Sequence, residues 1–267
     1  MGLATQPSTS RAILLVIVAL VVALAIQTFF FRHSVPKEIL AAEPVYESRA
    51  WMRVALPLFM VSGFALILRR VDTLMIAGFL GPEDVGRYSA GARSAELVSF
   101  ILAAVNVVAP AAISALHTQG RRADLQRFLT RMAHLSFWPS LAIGLTLVLG
   151  SEMLLSLFGP GFSAARGALT VLVVGHLINA AAGSAGFLLS MTGHQDRVAL
   201  TYGWTAVLNI TLNYILIPRF GITGAGVATA TSMIVWNVWL LAEGRARLRL
   251  DASILSALRK GALPDRG

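Results

Sequence analysis

The sequence predicts an all-α polytopic membrane protein, a helical bundle of about seven transmembrane helices, and three observations predict it. Hydrophobic residues make up 56% of the 267 positions and charged residues only 13%, too little polar material to coat a soluble globule of this size. The apolar residues gather into seven runs, each long enough to cross a hydrocarbon core about 30 Å thick as a helix. The Lys and Arg residues fall mainly between alternate runs, as they do where one membrane face retains the positive loops.

The runs are predicted at 12–31, 53–80, 86–116, 133–155, 167–191, 198–217 and 224–243. The first, "AILLVIVALVVALAIQTFFF", exceeds the h-region of a signal peptide and has no prompt small-residue cleavage site after it, so it is read as a retained helix. Segment 32–50 then reads as a cytoplasmic linker, because two prolines and several charges interrupt the apolar pattern. Residues 51–245 form the main bundle, and 246–267 a basic cytoplasmic tail. Within the bundle, "HTQGRRADLQRFLTR" (117–131) reads as a polar loop, while "FGPGF" (158–162) and "IPRFGITGAG" (217–226) supply turn residues. Pro57, Pro110 and Pro139 fall inside helical runs, where each removes a backbone hydrogen bond and permits a kink.

Orientation follows from the alternation. Fifteen of the 22 Lys and Arg residues belong to one side and five to the other, with Arg69 and Arg70 left inside a run. The richer side, which includes the C-terminus, is expected to be cytoplasmic. The net charge of +9 is accounted for by these loops and does not point to nucleic acid. The sequence has no cysteine, hence no thiolate metal site or thiol nucleophile. No metalloprotease, nucleophile-elbow or phosphate-loop motif occurs, and no histidine pair has metal-ligand spacing. Neither enzyme, cofactor nor metal is expected.

Function must then lie in polar groups inside the membrane. "LILRRVDTLMIAGFLG" (66–81) carries Arg69, Arg70 and Asp72 in the middle of an apolar run. Each costs roughly 2.5–3.5 kcal/mol on insertion scales, so such groups face a bundle interior or a wet cavity. Asp72 can pair with Arg69, three apart on one helix face, or with another helix, and either would make the cluster structural. One carboxylate cannot neutralise two guanidiniums, so the alternative is a cationic cavity wall with Arg70 facing an anionic ligand, whose oxygens match the guanidinium fork. Arg93 and Glu96 have the same spacing and are expected to pair. Asn209 and Asn213 share a helix face and either join helices or line the cavity. His176 with Asn179 reads as structural. The small-residue runs "NAAAGSAG" (179–186) and "GAGVATATS" (224–232) predict close helix packing.

Three stretches, "LPLFMVSGFALILRRVDTLMIAGFLGPEDVGRYSAGARSAELVSFI", "LFGPGFSAARGALTVLVVGHLINAAAGSAGFLLSMTGHQDRVAL" and "LNITLNYILIPRFGITGAGVATATS", resemble in order and spacing the polysaccharide-biosynthesis (O-antigen and exopolysaccharide) flippases of the multidrug, oligosaccharidyl-lipid and polysaccharide (MOP) exporter superfamily. The resemblance covers about residues 50–245. It implies a lobe of six helices, matching the C-terminal lobe of a MATE-like transporter, preceded by one extra helix. It further implies a bacterial inner-membrane protein that flips lipid-linked oligosaccharides carried on polyprenyl pyrophosphate. The cationic cavity residues of similar flippases fall on Arg70, and also on Arg69, Asp72 and Arg93. Full members carry twelve or fourteen helices, so this chain is expected to be a fragment, a half that acts with a separate N-terminal lobe, or a homodimer. Two further readings stand beside it: a cation-coupled multidrug exporter of the same superfamily, and a non-transporting scaffold for polysaccharide enzymes.

Overall fold

The computed structural model describes residues 9–34 and 46–256. Residues 35–45 of the expected linker (32–50) and 257–267 of the expected tail (246–267) lie outside the described residues. The chain divides into two units, 1–48 and 49–267. The first holds α1 (Thr9–Ser34), whose residues Ile13–Ser34 are long and apolar enough to cross a membrane. Its large apolar side chains are exposed, as a helix solvated by lipid requires.

The second unit is a helical bundle with no strand among the described residues. It runs through α2 (Ser48–Phe79), α3 (Pro82–Glu96), a 3₁₀ turn at Leu97–Ser99 and α4 (Phe100–Thr118). There follow α5 (Arg122–Leu149), the short α6 (Ser151–Ser156), a 3₁₀ turn at Phe162–Ala165, α7 (Arg166–Ala182), α8 (Ala185–Met191) and α9 (Gln195–Leu248).

Among the described residues, six helical stretches are long and apolar enough for a span, one fewer than the seven predicted runs. The difference lies in α9. A straight helix of its 54 residues would be about 80 Å long, far beyond the bilayer. Gly221 instead adopts φ 57°, ψ −143°, a conformation open to glycine at low cost. The Asn209 amide reaches the Thr229 hydroxyl at 3.4 Å, although twenty residues of continuous helix would set them about 30 Å apart. Helix α9 is therefore a hairpin of two limbs, and the sixth and seventh runs are its arms. The reversal is tight enough that a Cβ on Gly224 would lie 2.3 Å from the Leu216 carbonyl oxygen.

Two other expectations change. The polar stretch 117–131 is not a loop: only 119–121 turn, with Gly120 at φ 69°, and α5 begins at Arg122. Asp124 pairs with Arg121 at 2.7 Å and with Arg127 at 2.5 Å, while Leu125 and Leu129 are buried. The segment is an amphipathic first turn whose charge density conceals its helical period. The third run breaks at Leu97–Ser99, between α3 and α4, while the helices continue through Pro57, Pro110 and Pro139.

The two small-residue runs behave differently. Along 224–232, α7 and α9 pack with backbones nearly touching: a Cβ on Gly175 would lie 3.0 Å from Ala230 Cα, and one on Gly226 3.1 Å from Ala168 Cα. Along 179–186 the helix stops, since Gly183 has φ 63° and separates α7 from α8. Two apolar clusters hold the bundle together. One gathers Ile76, Val98, Leu155, Leu169 and Ile217, and the other Ile113, Leu125, Leu129, Leu188 and Leu240.

Candidate functional site: a cavity with three guanidiniums

Between the helices lies a cavity of about 830 Å³, within the size range of ligand sites. Its wall includes Arg69, Arg70 and Asp72 from α2, Tyr88, Arg93 and Glu96 from α3, Asn106 from α4, His176 and Asn179 from α7, and Tyr202, Thr229, Trp236 and Asn237 from α9. Four of the six candidate residues, Arg69, Arg70, Asp72 and Arg93, thus stand on one wall. Asn209 and Asn213 are fully buried and lie behind Asp72, outside that wall.

Asp72 is buried, and its partners are not those the spacing suggests. Tyr88 Oη donates to Oδ2 at 2.9 Å, Asn213 Nδ2 donates to Oδ1 at 2.8 Å, and the Thr229 hydroxyl donates to Oδ2. Asn213 Nδ2 also donates to Asn209 Oδ1 at 3.1 Å. Five side chains from α2, α3 and both limbs of α9 thus form one connected polar network. The sequence shows Asp72 and the Asn209–Asn213 pair, but the roles of Tyr88 and Thr229 depend on the α9 reversal, which brings residue 229 beside residue 72.

Because Asp72 is satisfied by neutral donors, it is not an ion-pair partner of Arg69. Among the described residues, Arg69, Arg70 and Arg93 have no ion pair with any carboxylate, and Arg93 does not pair with Glu96. Spacing of three permits a pair on a helix but does not impose one, and both Arg93 and Glu96 remain exposed. Cations near helix ends behave differently: Arg87 holds Glu83 and Asp84, and Arg245 holds Asp251.

His176 and Asn179 also belong to this wall. Ser99 Oγ lies 2.7 Å from His176 Nδ1, and Asn237 donates to Asn179 Oδ1 at 3.1 Å. Among the described residues no cluster of His, Asp and Glu can hold a metal ion.

A family model described as polysaccharide biosynthesis protein matches residues 7–117. The probable flippase AglR of Haloferax volcanii is 28% identical over 174 residues, which are 63% of this chain and 36% of that protein. Two solved structures share the fold. One is an outward-facing multidrug resistance MATE family transporter of the MOP superfamily, with TM-score 0.62 and 20% identity over 79% of this chain and 50% of that one. The other is a MOP superfamily transporter from Pyrococcus furiosus, with TM-score 0.58 and 20% identity over 84% of this chain and 52% of that one. The chain thus spans about a third of the curated relative and about half of the solved transporters. With its apolar spans it is a multi-pass membrane protein, similar in sequence over part of its length to polysaccharide-biosynthesis proteins and to a probable flippase, and similar in fold to half of a MATE-like transporter.

Proposed function

We propose that this chain moves lipid-linked oligosaccharides across the cytoplasmic membrane, the inner membrane of a bacterium, with its C-terminus on the cytoplasmic side, and that it is a transporter rather than an enzyme. The observation that carries the reading is the set of three guanidiniums, Arg69, Arg70 and Arg93, on one cavity wall without ion-pair partners among the described residues. Such groups are costly in a membrane, and a bound pyrophosphate would offset that cost through paired, charge-assisted hydrogen bonds. The lipid tail would remain in the bilayer while the head group occupies the cavity. Since the chain spans about half of the solved transporters, the chamber is proposed to close through a second copy or a separate partner lobe.

The test is a flipping assay in proteoliposomes with a fluorescent polyprenyl-pyrophosphate oligosaccharide, after the mass of the complex has been measured in mild detergent. Flipping that is lost in Arg69→Ala/Arg70→Ala at normal abundance supports the reading. Flipping that persists removes the guanidiniums from it.

A second reading, cation-coupled export, draws on one observation. Asn213 Oδ1 is buried without a hydrogen-bond partner among the described residues, and its side chain belongs to the network that holds the Asp72 carboxylate and the Thr229 hydroxyl, so amide, carboxylate and hydroxyl oxygens share one interior network. Oxygen ligands of this kind suit a hard monovalent cation or a proton. Transport that depends on a sodium or proton gradient, and that Asp72→Asn uncouples, would favour it.

A further inference from the structure

The cavity wall has a second chemical character. Away from the guanidiniums, Tyr202 and Trp236 stack with ring centroids 5.5 Å apart and planes inclined by 15°, and both line the cavity. Three asparagines from three helices share this wall: Asn106, Asn179 and Asn237. Their mutual bonds leave a specific remainder. Ser184 Oγ donates to Asn106 Oδ1 at 2.7 Å, so the Asn106 amide NH₂ is unspent. Asn237 Nδ2 donates to Asn179 Oδ1 and to the Met233 carbonyl, which leaves the Asn179 NH₂ and the Asn237 carbonyl unspent. None of these three groups is a buried, unsatisfied atom among the described residues, and all three side chains line the cavity.

Two unspent donors and one acceptor beside an aromatic stack suit an uncharged, hydroxyl-rich ring. Sugar hydroxyls both donate and accept, so they can meet all three groups, and the C–H face of a pyranose packs on an aromatic surface. A phosphate would be held better by the guanidiniums. A hydrocarbon tail would bury the amides unpaired, at a cost for each. We propose that Tyr202, Trp236, Asn106, Asn179 and Asn237 form a glycan subsite that holds an uncharged sugar ring while the arginines hold the pyrophosphate. This rests on the flippase reading and divides its substrate between two parts of one cavity. Both parts line the same cavity.

The experiment measures binding to the full chain in lipid nanodiscs with two probes, a short-chain prenyl pyrophosphate and the same lipid carrying a chitobiose disaccharide. The wild type is expected to bind the glycosylated probe about threefold to tenfold more tightly, the scale of an aromatic stacking contact. Trp236→Leu and Asn179→Leu should each erase that advantage and leave the bare probe unchanged, and Trp236→Phe, which keeps a ring, should retain most of it. Equal binding of both probes by the wild type overturns the subsite and leaves the flippase reading standing. A variant that weakens both probes alike overturns it as well, because the residue then acts on the fold. Failure of the wild type to bind either probe overturns the flippase reading itself.

Discussion

Asn213 donates a hydrogen bond to Asp72 at 2.8 Å, joining the first helix of the bundle to the last across 141 residues of sequence. The bond exists because α9 doubles back at Gly221, and it is continued by the Thr229 hydroxyl on the returning limb. A buried carboxylate that receives three donors from different helices acts as a fastener between them. It borders a cavity whose wall also carries Glu96 and the three arginines.

Replacing Asp72 by Ala is therefore expected to destabilise the bundle. It would leave Tyr88 Oη, Asn213 Nδ2 and the Thr229 hydroxyl without their acceptor, at about 1–3 kcal/mol for each donor that finds no other partner. Asp72→Asn keeps one acceptor oxygen and the volume, so its loss should be smaller, about 1 kcal/mol. Thermal unfolding of the detergent-solubilised chain, followed by tryptophan fluorescence, ranks the two. If Asp72→Ala melts with the wild type, the network does not carry stability.

Charge on the cavity wall gives a second prediction with a sign at each residue. Removing Arg69 and Arg70 together should weaken binding of a prenyl pyrophosphate about tenfold or more, since hydrogen bonds to charged groups contribute about 1.5–3 kcal/mol. Glu96 lines the same cavity without a counter-ion among the described residues, so Glu96→Gln should strengthen binding, by about twofold to tenfold, through lost repulsion. Both effects should shrink as salt is raised. A Glu96→Gln variant that binds more weakly would mean that the carboxylate supports the site.

Much of this was legible in the sequence, and the parts that were not share a cause. Apolar length alone finds the spans, and the cost of charge in a membrane singles out Arg69, Arg70 and Asp72. Spacing of three on a helix then suggests the wrong partners for Asp72 and for Arg93, because local geometry permits a pair without knowing which donors arrive from elsewhere. Tyr88 and Thr229 reach Asp72 only through tertiary folding, and a lone Tyr or Thr in an apolar run gives no signal. The Tyr202–Trp236 stack is hidden for the same reason, its members being 34 positions apart. The first turn of α5 was hidden by the opposite effect, charges so dense that they resemble a loop.

The α7–α9 crossing predicts strong position dependence among glycines. At Gly175 a Cβ would meet Ala230 Cα at 3.0 Å, Ala230 Cβ at 3.1 Å and Met233 Sδ at 3.2 Å, and backbone cannot yield as a side-chain tip can. Gly175→Val should cost about 1–3 kcal/mol by overpacking. Gly86→Ala, where nothing lies within 4 Å, should cost nothing and should gain slightly in helix propensity. Unfolding temperatures of the two variants, measured side by side, test whether the crossing is as close as it stands.

The break between α7 and α8 is coupled to the segment after α9. Gly183 holds φ 63°, and a Cβ there would lie 2.5 Å from the Ala252 carbonyl oxygen. Residue 251 is held to α5 by two bonds, Gln126 Nε2 to the Asp251 carbonyl at 2.7 Å and the Asp251 amide to Gln126 Oε1 at 2.9 Å. Gly183→Ala should therefore expel this segment, adding a clash to about 1–2 kcal/mol of backbone strain. Gln126→Leu should loosen the same segment by removing its two bonds, with no strain at Gly183. Hydrogen exchange at residues 249–256 should rise in both variants. Once either change has released the segment, the other has less left to break, so the double variant should lose less stability than the two losses added together. Full additivity would mean that the segment and the helix break are independent.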